Sequence, residues 1–121
     1  MINKKTLVLG ASDNPERYSY KAIKLLQLKG HDVVAVGRKE TQVDAIKVVK
    51  NFPSNEKVHT VTLYLNPAAQ AEYISSIIAL APERVIFNPG TENEDFAQEL
   101  MLNGIDPIEA CTLVMLSTGQ F

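Results

Sequence analysis

Short apolar runs alternate with stretches in which apolar residues return at helical spacing, and that alternation organises the chain. Lys5 to Leu9 has the pattern of a buried strand. A helical pattern follows to about Lys29, with Ala22, Leu25 and Leu26 along one side and Gly30 where a capping glycine belongs. His31 to Val36 reads as a second strand, ending at Gly37-Arg38-Lys39, and the β-branched run Val58 to Leu65, close to strict alternation, as a third. Asn66 and Pro67 make a helix start, Asn as cap and Pro at the first helical position. Ala71, Ile74, Ile78 and Ala81 then mark one helix face. Arg84 to Phe87 is a fourth strand, stopped by Asn88-Pro89-Gly90. Thr91 to Glu94 has the form of a capping box, with Phe96 and Leu100 supporting the helix and Gly104 closing it. Pro107 to Ala110 is a short fifth strand and Leu113 to Leu116 a terminal helical turn. The irregular part is Lys39 to Lys57, where Ile46 to Val49 is a candidate extra strand.

Strands separated by helices of this length imply right-handed crossovers. The expected fold is α/β: a Rossmann-like open parallel sheet of about five strands with helices on both faces, one domain over residues 1–121. A length of 121 residues, a net charge of −2 and an apolar fraction of 45% fit a soluble globular chain. Without a basic excess, nucleic acid is not an expected partner. No apolar run is long enough for a bilayer, and no signal-peptide pattern precedes the first strand. The lone cysteine, Cys111, excludes an internal disulfide and fits a reducing compartment, so the expected location is cytoplasmic.

The candidate chemistry sits where the first strand turns into the first helix. Backbone N–H groups and the positive helix end point at one spot there, which suits an anion. Gly10 lets the chain turn and a ligand approach, Ser12 adds a hydroxyl, and Arg17 adds a cation able to hold phosphate oxygens in pairs. The dinucleotide fingerprint is absent, because Ser12 and Pro15 stand where its later glycines would be. In a parallel sheet the tips Gly10-Ala11-Ser12, Gly37-Arg38-Lys39, Leu65-Asn66-Pro67 and Asn88-Pro89-Gly90 share one edge. The second tip carries cations where an NAD site carries an acid, which suits a phosphorylated ribose, as in NADP or coenzyme A.

The run Gly10-Ala11-Ser12-x-x-Pro15-x-Arg17-x-Ser19-Tyr20 resembles the opening motif of the small stand-alone coenzyme A-binding proteins, themselves similar to the coenzyme A-binding domain of succinyl-CoA synthetase. Gly30-His31-Asp32-Val33, Leu63 to Pro67, Asn88-Pro89-Gly90 with the acidic helix start, and the closing Cys111 extend the resemblance over nearly the whole chain. It implies coenzyme A bound in an extended pose with its pyrophosphate at the first helix. Gly10, Ala11, Ser12, Arg17 and Ser19 would hold phosphates, Arg38 and Lys39 would face the 3′-phosphate, and Asn66 and Pro67 would flank the adenine or pantetheine region. The tip Val36-Gly37-Arg38 departs from the Val-Asn-Pro-like sequence usual in relatives.

No catalytic constellation emerges. His31 and His59 fall at strand starts, away from the proposed site, and helix starts favour acids such as Glu92, Glu94 and Asp95 through the dipole alone. No metal-ligand spacing appears. Cys111 reads as a small buried apolar residue, with a reactive thiol as the alternative. The expectation is a binding protein for coenzyme A or an acyl-CoA, with a homodimer possible. The alternatives are an NADP-binding oxidoreductase or redox sensor, and an interaction module with a vestigial crevice.

Overall fold

The computed structural model describes residues 2–121. Its strands are β1 (Thr6–Ala11), β2 (Val33–Gly37), β3 (Thr41–Val43), β4 (Ile46–Val49), β5 (Thr60–Leu63), β6 (Arg84–Phe87) and β7 (Asp106–Glu109). They form one seven-stranded sheet in the order β3-β4-β2-β1-β5-β6-β7. Every pairing is parallel except β3 with β4. The helices are α1 (Tyr18–Leu28), α2 (Pro67–Gln70), α3 (Ile74–Leu80), α4 (Glu94–Leu102) and α5 (Thr112–Ser117). The fold is the expected Rossmann-like α/β arrangement with more strands than the five expected. The addition is the β3–β4 hairpin in the segment read as irregular; Ile46–Val49 was recognisable there and Thr41–Val43 was not.

β1 lies between β2 and β5, with Thr6 opposite Val33 and Thr60, and Leu9 opposite Val36 and Leu63. Alternate residues feed two separate cores. Leu7, Leu9, Leu63 and Phe87 pack with Ile77 of α3 and Phe96 and Leu100 of α4 on one face. Val8, Ala35 and Val48 pack with Ile23 and Leu26 of α1 and Leu116 of α5 on the other. Full cover on both faces explains β5: although apolar and polar residues alternate along it, all of Thr60, Val61, Thr62 and Leu63 are buried. Its threonines are tolerated because each hydroxyl is bonded, Thr60 Oγ1 accepting from Arg84 Nε at 2.8 Å and Thr62 Oγ1 lying 2.8 Å from Thr112 Oγ1.

Local helix signals succeeded unevenly. Asn66 caps α2 as expected, its Oδ1 accepting from the Ala69 N–H at 2.9 Å. The segment beyond it is broken by a 3₁₀ turn at Ala71–Tyr73, so the apolar face shifts: Gln70 and Ile77 are buried, while Ala71 and Ala81 are exposed. The capping box expected at Thr91 is replaced by Asn93, whose Oδ1 accepts from the Phe96 N–H at 3.2 Å. Thr91 is buried and donates its hydroxyl to the Asn88 carbonyl at 2.8 Å.

Gly37 is fixed by contact rather than by dihedral angle. A Cβ there would run into the Ala11 carbonyl oxygen and reach within 2.9 Å of Val48 Cγ1. Backbone cannot step aside as a side chain can, so Gly37→Ala is expected to destabilise the fold by about 2 kcal/mol. A chemical-denaturation midpoint unchanged from wild type would show that β1 and β2 can part at no cost.

At the N-terminal edge of the sheet, His31 Nδ1 accepts from the Lys4 N–H at 2.9 Å, and His59 Nε2 lies 3.0 Å from Glu83 Oε2. Burial, with Lys4 and Arg84 nearby, holds His31 below the usual imidazole value of 6.5. Burial also lowers His59, against the opposing pull of Glu83. Both groups bind protons less readily folded than unfolded. Their contribution to stability is therefore complete above about pH 6.5 and declines as the pH falls through that value toward the lower folded ones. Carboxylates titrate below this window. The melting temperature should drop between pH 7.5 and 5.5, and less so in His31→Gln; equal drops in both proteins would remove His31 from the account.

Candidate functional site

β1 runs to Ala11, and α1 begins only at Tyr18. The intervening loop is built from its own short polar bonds. Ser12 Oγ accepts from the Asn14 N–H at 3.1 Å, Asn14 Oδ1 from the Glu16 N–H at 3.0 Å, and the Asn14 carbonyl from the Arg17 N–H at 3.0 Å. No side chain caps α1. Among the described residues, the N–H groups of Tyr18, Ser19 and Tyr20 have no acceptor within the protein. That end of the helix therefore presents donors and a positive dipole that no acceptor from the described residues satisfies.

A cleft of about 400 Å³ opens there, at the C-terminal ends of β1 and β2. Gly10, Ala11, Ser12, Arg17 and Ser19 line it from the first loop and helix, and Gly37, Arg38 and Lys39 from the end of β2. Its volume lies within the range of about 300–1,000 Å³ common for small-molecule sites. Arg17 and Arg38 are exposed, and neither guanidinium has a partner among the described residues. Gly10 has φ +94°, and a Cβ on it would lie 2.8 Å from the Tyr64 carbonyl oxygen. Its glycine is thus required by the neighbouring chain itself, beside any benefit to a ligand.

The remaining expected positions are placed differently. Asn66 and Pro67 are exposed and follow Leu65, which lines the cleft while they do not. Asn88 is buried, its Nδ2 donating to Thr62 Oγ1 at 2.7 Å and to the Leu63 carbonyl at 2.8 Å, while its Oδ1 accepts from the Thr112 N–H at 2.9 Å. Both amide donors are spent tying β6 to β5, and the oxygen ties it to α5. Pro89 and Gly90 are exposed outside the cleft, and the Gly90 N–H donates to Glu92 Oε1 at 2.8 Å.

Val36, Thr41, Leu65 and Tyr73 complete the lining. Thr41 arrives on the unforeseen strand β3, and Tyr73 on the 3₁₀ turn, so neither carries a local sequence signal of its position. Asp13, behind the rim, bonds across to the second wall: its Oδ2 accepts from Thr41 Oγ1 at 2.7 Å, and its Oδ1 lies 3.5 Å from Lys39 Nζ. The Thr41 hydrogen bond, with help from Lys39, holds the Asp13 carboxyl below its usual range.

Other chemistry is spread away from the cleft. Cys111 is half-buried at the start of α5. The Tyr64 hydroxyl is buried without a hydrogen bond of good geometry, and burial pushes it up to about 12, partly offset by the nearby hydroxyls of Thr62 and Thr112. Among the described residues, no group of acids, histidines or cysteine is placed to hold a metal ion. Nor, among the described residues, is any helix long and apolar enough to cross a membrane.

Comparison with known proteins fits this geometry. A crystal structure of an uncharacterized protein shares 48% identity with the chain over the full length of both, at a TM-score of 0.96. A hypothetical protein from Pyrococcus horikoshii is 26% identical, with 96% of this chain and 83% of that one covered and a TM-score of 0.85. A Thermus thermophilus protein of 20% identity, covering 98% of this chain and 91% of its own, shares the fold at 0.83. A search of curated proteins gave no match. The model of a family described as "CoA binding domain" matches residues 4–117, and the chain belongs to that family.

Proposed function

We propose that the protein binds coenzyme A or an acyl-coenzyme A and catalyses no reaction on it. The observation that carries this reading is the meeting, in one cleft, of the start of α1 at Ser19, whose N–H has no acceptor among the described residues, with Arg17, Arg38 and Lys39. A diphosphate satisfies the helix end, where Ser19 and Ser12 add hydroxyls and Arg17 a paired contact. Arg38 and Lys39 face the ribose 3′-phosphate from the tip of β2. Leu65 and Tyr73 offer the apolar surface that a base or the pantetheine arm requires. Asn66 and Pro67 act behind Leu65 by fixing the start of α2, and Asn88, Pro89 and Gly90 shape the next loop. The cytoplasm suits such a ligand and the lone thiol.

The absence of catalysis is read from where the titratable groups lie. His31 and His59 stand at the N-terminal edge of the sheet, the length of a strand from the cleft. Asp13, behind the rim of the cleft, is engaged with Thr41 and Lys39.

Calorimetry with coenzyme A, dephospho-coenzyme A, NADPH and NADH tests the reading. Coenzyme A should bind tightest, and loss of the 3′-phosphate should weaken binding by more than about tenfold, roughly 1.4 kcal/mol. NADPH as the tightest ligand would make this an NADP protein, and no binding by any of the four would leave only an interaction module. Arg17→Ala should weaken coenzyme A by about tenfold or more while leaving the melting temperature nearly unchanged, because its exposed side chain makes no bond among the described residues. A large loss of stability in that variant would make Arg17 a structural residue.

A further inference from the structure

An acid from the first loop stands behind the second wall of the cleft. Asp13 does not line the cleft, but both side chains it holds, Thr41 and Lys39, do. The bonds differ in kind. The hydroxyl bond to Thr41, at 2.7 Å, is short and would survive loss of the carboxylate charge. The contact with Lys39, at 3.5 Å, is long, and the lysine side chain is 71% exposed, so this ammonium is only loosely held. Arg38, one residue before, has no such partner among the described residues.

We propose that Asp13 is the positioning residue that tempers this site's preference for a phosphate monoester, by occupying Lys39 until a terminal ribose phosphate takes it over. The inference rests on the coenzyme A reading. A ligand with a free ribose hydroxyl cannot displace the carboxylate, so Lys39 stays on Asp13 and gives that ligand nothing. A 3′-phosphate carries more charge than the carboxylate and draws the ammonium away, but part of what Lys39 gives it is spent in breaking the pair with Asp13. Asp13 thus moderates the reward for the extra phosphate rather than adding to it, and it acts through Lys39 alone. The exchange breaks one ion pair and forms another, with no proton moved.

Four proteins distinguish this from simpler roles: wild type, Asp13→Asn, Lys39→Met, and the double variant. Each is titrated with coenzyme A and dephospho-coenzyme A, and its melting temperature is recorded. Asparagine keeps an oxygen for Thr41, so the loop should stay in place and the melting temperature near wild type. In Asp13→Asn the ratio of the two dissociation constants should rise by about threefold, because Lys39 is freed. In Lys39→Met the ratio should fall, and adding Asp13→Asn to it should restore little of the loss. An unchanged or lower ratio in Asp13→Asn, or an equal rise in the Lys39→Met background, overturns the proposal while coenzyme A binding by the wild type stands. If the wild type binds neither nucleotide, the coenzyme A reading fails and the proposal falls with it.

Discussion

Parallel pairing of β1 on both sides governs everything else in this molecule. Once β2 and β5 run alongside it in the same direction, their C-terminal ends must finish on one edge. Residues 10, 37 and 65 are far apart in the chain but share that edge for no other reason. The returns from β1 to β2, from β5 to β6 and from β6 to β7 run through helices, and the helices bury both faces of the sheet. With water excluded from both faces, ligand chemistry is confined to the edge. The cleft is a consequence of strand direction before it is a matter of side chains.

Holding that edge in shape falls to two buried amides. Asn88 joins the end of β6 to β5 and to the start of α5. Gln70, fully buried, donates from its Nε2 to the Leu65 carbonyl at 2.8 Å and the Thr91 carbonyl at 2.7 Å, and its Oε1 accepts from Asn93 Nδ2 at 2.9 Å. Buried amides with all their donors engaged stiffen the loops they connect, since each bond lost would leave an unpaired group out of reach of water. Leu65 therefore reaches the cleft from a loop braced on its far side.

What the sequence discloses divides along the reach of the interactions. The turn after β1, the Asn66 cap and the glycine after α1 act within a few residues of themselves and are legible in one dimension. The β2 tip is legible too, because strand direction alone places it beside the first. Thr91 misleads because a threonine before acids has the form of a cap, whereas tertiary contact with Asn88 claims its hydroxyl and passes the capping task to Asn93. Asn88, in a turn-forming Asn-Pro-Gly run, looks like a loop residue open to ligand, yet the threonines of β5 and α5 supply it with partners. Asp13 meets Thr41 and Lys39 across the cleft, and no local pattern announces a bond of that range.

The outermost strand, β7, has a bearing on how two such molecules can meet. The Asp106 and Ala110 N–H groups point inward to the Glu83 and Phe87 carbonyls. By the alternation of a strand, the nitrogen of Pro107 faces away from the sheet, and it has no hydrogen to offer. Glu109, the next residue facing that way, brings a charge to the rim. A strand approaching there would find a missing donor followed by a carboxylate, so this edge of the sheet is closed to strand addition.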